Sequence, residues 1–176
     1  MFELAEELNR RNHIVTVITT WPKYNLDKLF DPFDFKENKF ENGIQIIRVK
    51  TLPHHNVNFF LRGISQLIMP FQFILKIIKY KIKTDAVVVY SPPLPLAFVG
   101  SWTNLKDTKF LLNVQDLFPQ NAIDLGILRN PLLIGFFRIL EKFAYKSADI
   151  ITLHSEGNKR EVELRHPTFI KKMRIL

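Results

Sequence analysis

The chain has 176 residues, 47% of them hydrophobic and 24% charged, which is the profile of an ordinary globular chain with room for a sizeable core in roughly one domain. It contains no cysteine, which excludes a disulfide framework and a thiolate metal site. The formal net charge of +8 and pI of about 9.7 favour anionic partners such as nucleic acid, anionic lipid or phosphate-bearing substrates, and also fit a merely basic soluble protein.

In the opening stretch MFELAEELNRR, Phe2, Leu4, Ala5 and Leu8 recur at helical spacing among charged residues. A charged helix of this kind is not a signal peptide, which needs an apolar core. IVTVIT then reads as a strand and WPKYNLDKLFDPFDFKENKFENG as a loop closed by the turn pair Asn42-Gly43. IQIIRV, from Ile44 to Val49, reads as a strand. Phe59 to Lys83 reads as one long helix that Pro70 would kink. Its longest charge-free stretch lies between Arg62 and Lys76, too short for the ~20 apolar residues of a membrane span.

Asp85 to Tyr90 is a continuous apolar strand. SPPLPLAFVGSWTNLK begins with prolines suited to a first helical turn. Lys109 to Val114 is a further strand, followed by the loop DLFPQNAIDLG. Asn130-Pro131 opens a helix running to about Ser147. ADIITL is a strand, Ser155 caps the helix SEGNKREVELR, and KKMRIL begins another strand. Strands apolar on both faces, alternating with helices, predict an α/β fold with a doubly wound, Rossmann-like parallel sheet. A mixed α+β fold is the alternative.

RNHIVTVITTWPKY, YSPPLPLAFVG, VQDLFPQNAIDLGIL and KSADIITLHSEG, in this order, resemble the N-terminal half of bacterial family-four glycosyltransferases that build surface polysaccharides and O-antigens. The resemblance covers nearly all of residues 1–176. It implies one half of a two-domain enzyme of the GT-B type: an acceptor-side domain whose partner domain holds a nucleotide-sugar donor. It also implies transfer to a glycan or lipid-linked acceptor with retention of configuration, and no metal or other cofactor. Relatives begin with a further strand and a glycine-rich loop, and continue into the donor domain. The expectation is therefore a partial copy with its first strand missing. Such a strand is central and contributes on the order of 6–12 kcal/mol, so the domain is expected to be marginal. A second expectation from the same resemblance is a non-enzymatic remnant, or an acceptor-binding subunit served by a separately encoded donor domain.

Ligands of open α/β sheets bind beyond the carboxyl ends of the strands. Four stretches fall there. Trp21, Lys23 and Tyr24 offer aromatic surface for sugar rings and a cation for phosphate; they also read as a loop packing its own aromatics. Ser91 and Pro92 form a rigid strand-to-helix turn that shapes the cleft floor, which is also a purely structural reading. Asp116, at the end of a buried strand, is costly unless it is paired or faces a cleft. The resemblance brings this segment, with Pro119 and Gln120, to the reacting centre. Asp116 is the catalytic candidate, orienting or deprotonating the acceptor hydroxyl; a loop or helix cap is the alternative. Relatives often carry Glu where Gln120 stands, and Gln is no general base. Glu156 and Gly157 follow the cap Ser155. The helix dipole explains Glu156 structurally, and the resemblance puts both on the donor side.

The five histidines form no metal site by spacing, and His54 and His55 read as a solvated loop. From Asn42 to Thr84 there is no Asp or Glu, while Lys76, Lys79 and Lys83 share one face of the Phe59–Lys83 helix. This fits an anionic membrane surface or a core helix with a basic edge. With the resemblance it implies a cytoplasmic protein, peripheral on the inner membrane face. Nucleic acid is not expected as a partner, because the aromatics near these lysines sit in strongly apolar company.

Overall fold

The computed structural model describes residues 2–22, 35–53, 58–105 and 107–176. It divides into two compact units, Met1–Lys81 and Ile82–Leu176.

The first unit contains α1 (Phe2–Arg10), β1 (Thr16–Thr20), β2 (Asn38–Glu41), β3 (Ile44–Val49) and α2 (Phe59–Lys79). Its sheet has the order β1-β3-β2. β1 runs parallel to β3, from Thr16 beside Gln45 to Thr20 beside Val49. β2 runs antiparallel to β3 and joins it through Asn42 and Gly43, both at positive φ (51° and 79°). That is the chemistry of a two-residue hairpin turn. The amide of Asn42 donates to Glu6 and its carbonyl accepts from Asn9, which fastens the hairpin to α1. The sequence reading placed β2 within a loop. β1 begins later than its apolar pattern suggested, and Ile14 is fully exposed.

Asn58 caps α2 by accepting from the Leu61 N–H, and Pro70 lies inside the helix without ending it. α2 stops at Lys79 rather than Lys83, because Lys81 turns to a φ of 51°. Ser65, Met69, Phe73 and Ile77 are buried, whereas Leu61, Ile64, Ile68, Phe71, Leu75 and Ile78 form an exposed apolar stripe. Leu61–Lys79, at mean hydropathy 1.3, is long and apolar enough to cross a membrane. This corrects the count made between Arg62 and Lys76, since the helix continues through Lys76.

Lys76 and Lys79 are not free cations. Both pair with Glu37, at 2.6 and 2.7 Å, and the Tyr80 hydroxyl donates to the same carboxylate. The Lys76 bond first, then Lys79 and Tyr80, hold the Glu37 carboxyl at about 2, below its ordinary 4.5. A carboxylate shifted downward stabilises the fold above its ordinary value, and that contribution disappears as pH falls toward 2. The melting-temperature gap between wild type and Glu37→Gln should accordingly be full at pH 6 and close by pH 2. A gap independent of pH would show that the Glu37 charge adds nothing.

The second unit contains β4 (Ala86–Ser91), α3 (Ala97–Asn104), β5 (Lys109–Val114), α4 (Gln120–Asp124), α5 (Pro131–Ser147), β6 (Ile150–Leu153), α6 (Glu156–Arg165) and β7 (Met173–Ile175). Short 3₁₀ turns precede α3 and β7. The strands form one parallel sheet in the order β4-β5-β6-β7. The expected α/β, Rossmann-like parallel architecture is thus present. Val89, Phe110, Leu112, Val114, Ile151 and Leu153 pack with Leu140, Ala144, Tyr145 and Val162 in its core. Gly100 lets α3 lie directly on the Phe110 ring. At the amino ends of β5 and β6, the Asp149 carboxylate accepts from the Phe110 N–H and the Asn104 amide.

Among the described residues of this unit, one charge is fully buried. Glu141, on α5, is ringed by Arg138 at 3.0 Å, Arg165 at 3.3 Å and His166 at 3.3 Å. The Tyr145 hydroxyl also donates to it. Burial pushes its carboxyl upward, but the His166, Arg165 and Arg138 contacts outweigh this, and the net shift is downward.

Candidate functional site

The carboxyl edge of the four-stranded parallel sheet is where the second unit offers polar groups to a ligand. β4 ends at Ser91, which is buried; Pro92 after it is exposed. β5 ends at Val114 and is followed by Gln115 and Asp116, both exposed. The Gln115 N–H donates to the Ser91 carbonyl at 2.9 Å, so the turns after β4 and β5 are neighbours. β6 ends at Leu153 and is followed by His154, Ser155, Glu156 and Gly157, all exposed.

Asp116 therefore reaches solvent, and no burial cost arises. Its carbonyl accepts from Phe118 in the turn leading to α4. The side chain is exposed and makes no hydrogen bond or ion pair among the described residues. Pro119 is buried and precedes α4. Gln120 is engaged at both ends of its amide: Nε2 donates to Asp124 at 2.6 Å, and Oε1 accepts from Arg138. Arg138 in turn holds Glu141, so Gln120 acts as a brace between α4 and α5. Ser155 caps α6 by accepting from the Asn158 N–H, with Glu156 in the first turn. A Cβ at Gly157 would meet only the Ser155 hydroxyl, at an ordinary contact distance of 3.8 Å, and the backbone there makes no demand for glycine.

Three further residues at this edge escaped the sequence reading. The register sets Tyr90, Asn113 and Thr152 side by side on β4, β5 and β6, on one face of the sheet. Asn113 is buried and lies 3.0 Å from the His154 ring nitrogen. Thr152 is buried and its hydroxyl has no partner among the described residues. An Asn in KFLLNV and a Thr in ADIITL, polar interruptions of apolar strands, were the available signal. Their adjacency follows only from strand register.

In the first unit, Trp21 follows the carboxyl end of β1. Its N–H donates to the Val49 carbonyl, and the Lys50 ammonium sits 5.1 Å from its ring centroid. Lys23 and Tyr24 lie outside the described residues, as do His54 and His55.

No family model matches the sequence, and no curated protein does. Among solved structures, sucrose-phosphate synthase from Thermosynechococcus elongatus is similar, with a TM-score of 0.62 at 15% identity. The match covers 98% of this chain and 40% of that one. That protein is a glycosyltransferase of the GT-B type, and at this identity the likeness is one of fold. The chain thus has the fold of a Rossmann-like half of such an enzyme.

Proposed function

We propose that the chain is the acceptor-side part of a retaining nucleotide-sugar glycosyltransferase acting in cell-surface polysaccharide synthesis. The observation that carries this reading is the fold likeness to a GT-B enzyme over 98% of the chain. The sequence motifs that resemble family-four enzymes support the narrower assignment. In this reading a nucleotide-sugar is the co-substrate, a glycan or lipid-linked glycan the acceptor, and no metal takes part. Asp116, exposed beyond β5, orients the acceptor hydroxyl and receives its proton. Ser91 and Pro92 form the floor beside it. Glu156 and Gly157 face the donor, which a second domain holds. The exposed stripe of α2, from Leu61 to Ile78, supports attachment to the inner membrane face.

The test uses protein isolated from its native cells, incubated with a panel of nucleotide-sugars and lipid-linked acceptors, with products read by mass spectrometry. Asp116→Asn should lower transfer by about 10²-fold or more. It should leave the melting temperature unchanged, because the exposed Asp116 side chain makes no hydrogen bond or ion pair among the described residues. Transfer within twofold of wild type removes Asp116 from the mechanism. Acceptor binding without transfer from any donor would make the chain an acceptor-binding subunit.

A further inference from the structure

We propose that the first unit carries a binding site for an acidic sugar, meaning a hydroxylated ring bearing a carboxylate or a phosphate, in the cavity between the carboxyl end of β3 and α2. This deepens the acceptor-side reading and rests on it for taking the ligand as a sugar. The cavity has a volume of about 270 Å³ and is lined by Glu37, Val49, Lys50, Gln72, Leu75, Lys76 and Lys79. That is close to the low end of small-molecule sites, ~300 Å³.

Three observations define the ligand. The first is charge: three lysines and one glutamate line the cavity. Glu37 takes one bond from Lys76 and one from Lys79 and fixes both on the wall. Each ammonium has three donors, so both retain capacity for an anion, and Lys50 adds a third cation at the rim. The second is an orphan acceptor. The Gln72 amide donates Nε2 to the Lys50 carbonyl at 3.2 Å, which fixes its orientation. Its Oε1 is buried with no partner among the described residues. A buried acceptor without a donor is costly, and an anion alone supplies none; a ring hydroxyl does. The third is surface. Leu75 gives apolar contact for the C–H face of a ring, and Lys50 is held over Trp21, the aromatic that the sequence singled out for sugar stacking.

The experiment is calorimetric titration of the full chain with glucuronate, glucose 1-phosphate, glucose and inorganic phosphate, with the Trp21 indole followed by NMR. Glucuronate or glucose 1-phosphate should bind and shift the indole, with glucose weaker by about tenfold or more, since hydrogen bonds to charged groups carry the difference. Binding by one acidic sugar and not the other identifies which anionic group the site takes. Gln72→Glu places a second carboxylate in the cavity and should abolish binding. Lys50→Ala, at an exposed position, should weaken it by about fivefold or more. Arg62→Ala, near the opposite end of α2 and outside the lining residues, should change nothing. Equal affinity for glucose, indifference to Lys50→Ala, or binding of phosphate alone overturns the assignment. Loss of transfer in Asp116→Asn without any acidic-sugar binding would sink the cavity and leave the transferase reading. Acidic-sugar binding without transfer would do the reverse.

Discussion

Glu141→Gln is expected to destabilise the Ile82–Leu176 unit by about 3–5 kcal/mol, the usual cost of breaking a buried ion pair from one side. The carboxylate is fully buried, and Arg138, Arg165 and His166 all converge on it. The amide keeps the shape but strands the two guanidinium groups, and Arg165 already has one buried nitrogen without a partner. Hydrogen exchange of the α5 and α6 amides measures this locally. Replacing both charges, as Glu141→Met with Arg165→Met, should recover more than half of the loss, because two apolar side chains remove the stranded charge along with its partner. The downward shift of the Glu141 carboxyl adds a pH signature. Its contribution is complete above its ordinary value of 4.5 and is lost as pH falls through its folded value, so wild type and Glu141→Gln should converge in acid. A glutamine variant as stable as wild type at pH 7 would show that the cluster contributes no net stability.

Gly100→Ala is the second large effect. A Cβ at this position would overlap Cε2, Cδ2 and Cζ of the Phe110 ring. Phe110 is fully buried in the sheet core and has nowhere to retreat. On an open helix the substitution would be favourable by ~1 kcal/mol. Here overpacking dominates, at the upper end of ~1–3 kcal/mol. Denaturation followed through Trp102, two residues further along α3, reports on this unit. Phe110→Leu in the same chain should give back part of the loss, since the two sites share one volume. An alanine variant with unchanged stability would mean that α3 shifts away from the sheet at little cost.

Much of the fold was legible because its signals are local. β3, β5, α5 and α6 have the bounds that apolar runs, Asn130-Pro131 and the Ser155 cap imply. β2 was not legible: NKFE is polar, lies at a sheet edge and exposes Phe40, so only pairing through the Asn42–Gly43 turn makes it a strand. The end of α2 was misplaced for a similar reason, since the backbone of Lys81 stops the helix where its apolar pattern continues. At the carboxyl edge, the strand ends located Ser91, Asp116 and Glu156. What their side chains do was another matter. Gln120 looked like a ligand contact, whereas Arg138, eighteen positions away, claims it. Nothing local in FFRILEKFAYK marks Glu141 as buried, and its partners Arg165 and His166 lie a full βα unit further on. Asn113 and Thr152, and likewise Lys50 and Gln72, are brought together only by packing between elements.

The hairpin turn between β2 and β3 also gives the first unit a chemical lifetime. An asparagine followed by glycine is the peptide sequence most open to backbone attack on its own side-chain amide, because glycine leaves the nitrogen unshielded. The attack expels ammonia, and hydrolysis of the resulting cyclic imide by water leaves aspartate or its β-linked isomer at position 42. The Asn42 amide is the donor that ties the hairpin to Glu6 of α1. After conversion, the same position presents a carboxylate to a carboxylate, and attraction becomes repulsion. Aged protein should therefore loosen first where α1 grips the turn, and slow deamidation in storage would erode the N-terminal unit while leaving the four-stranded sheet of the other untouched.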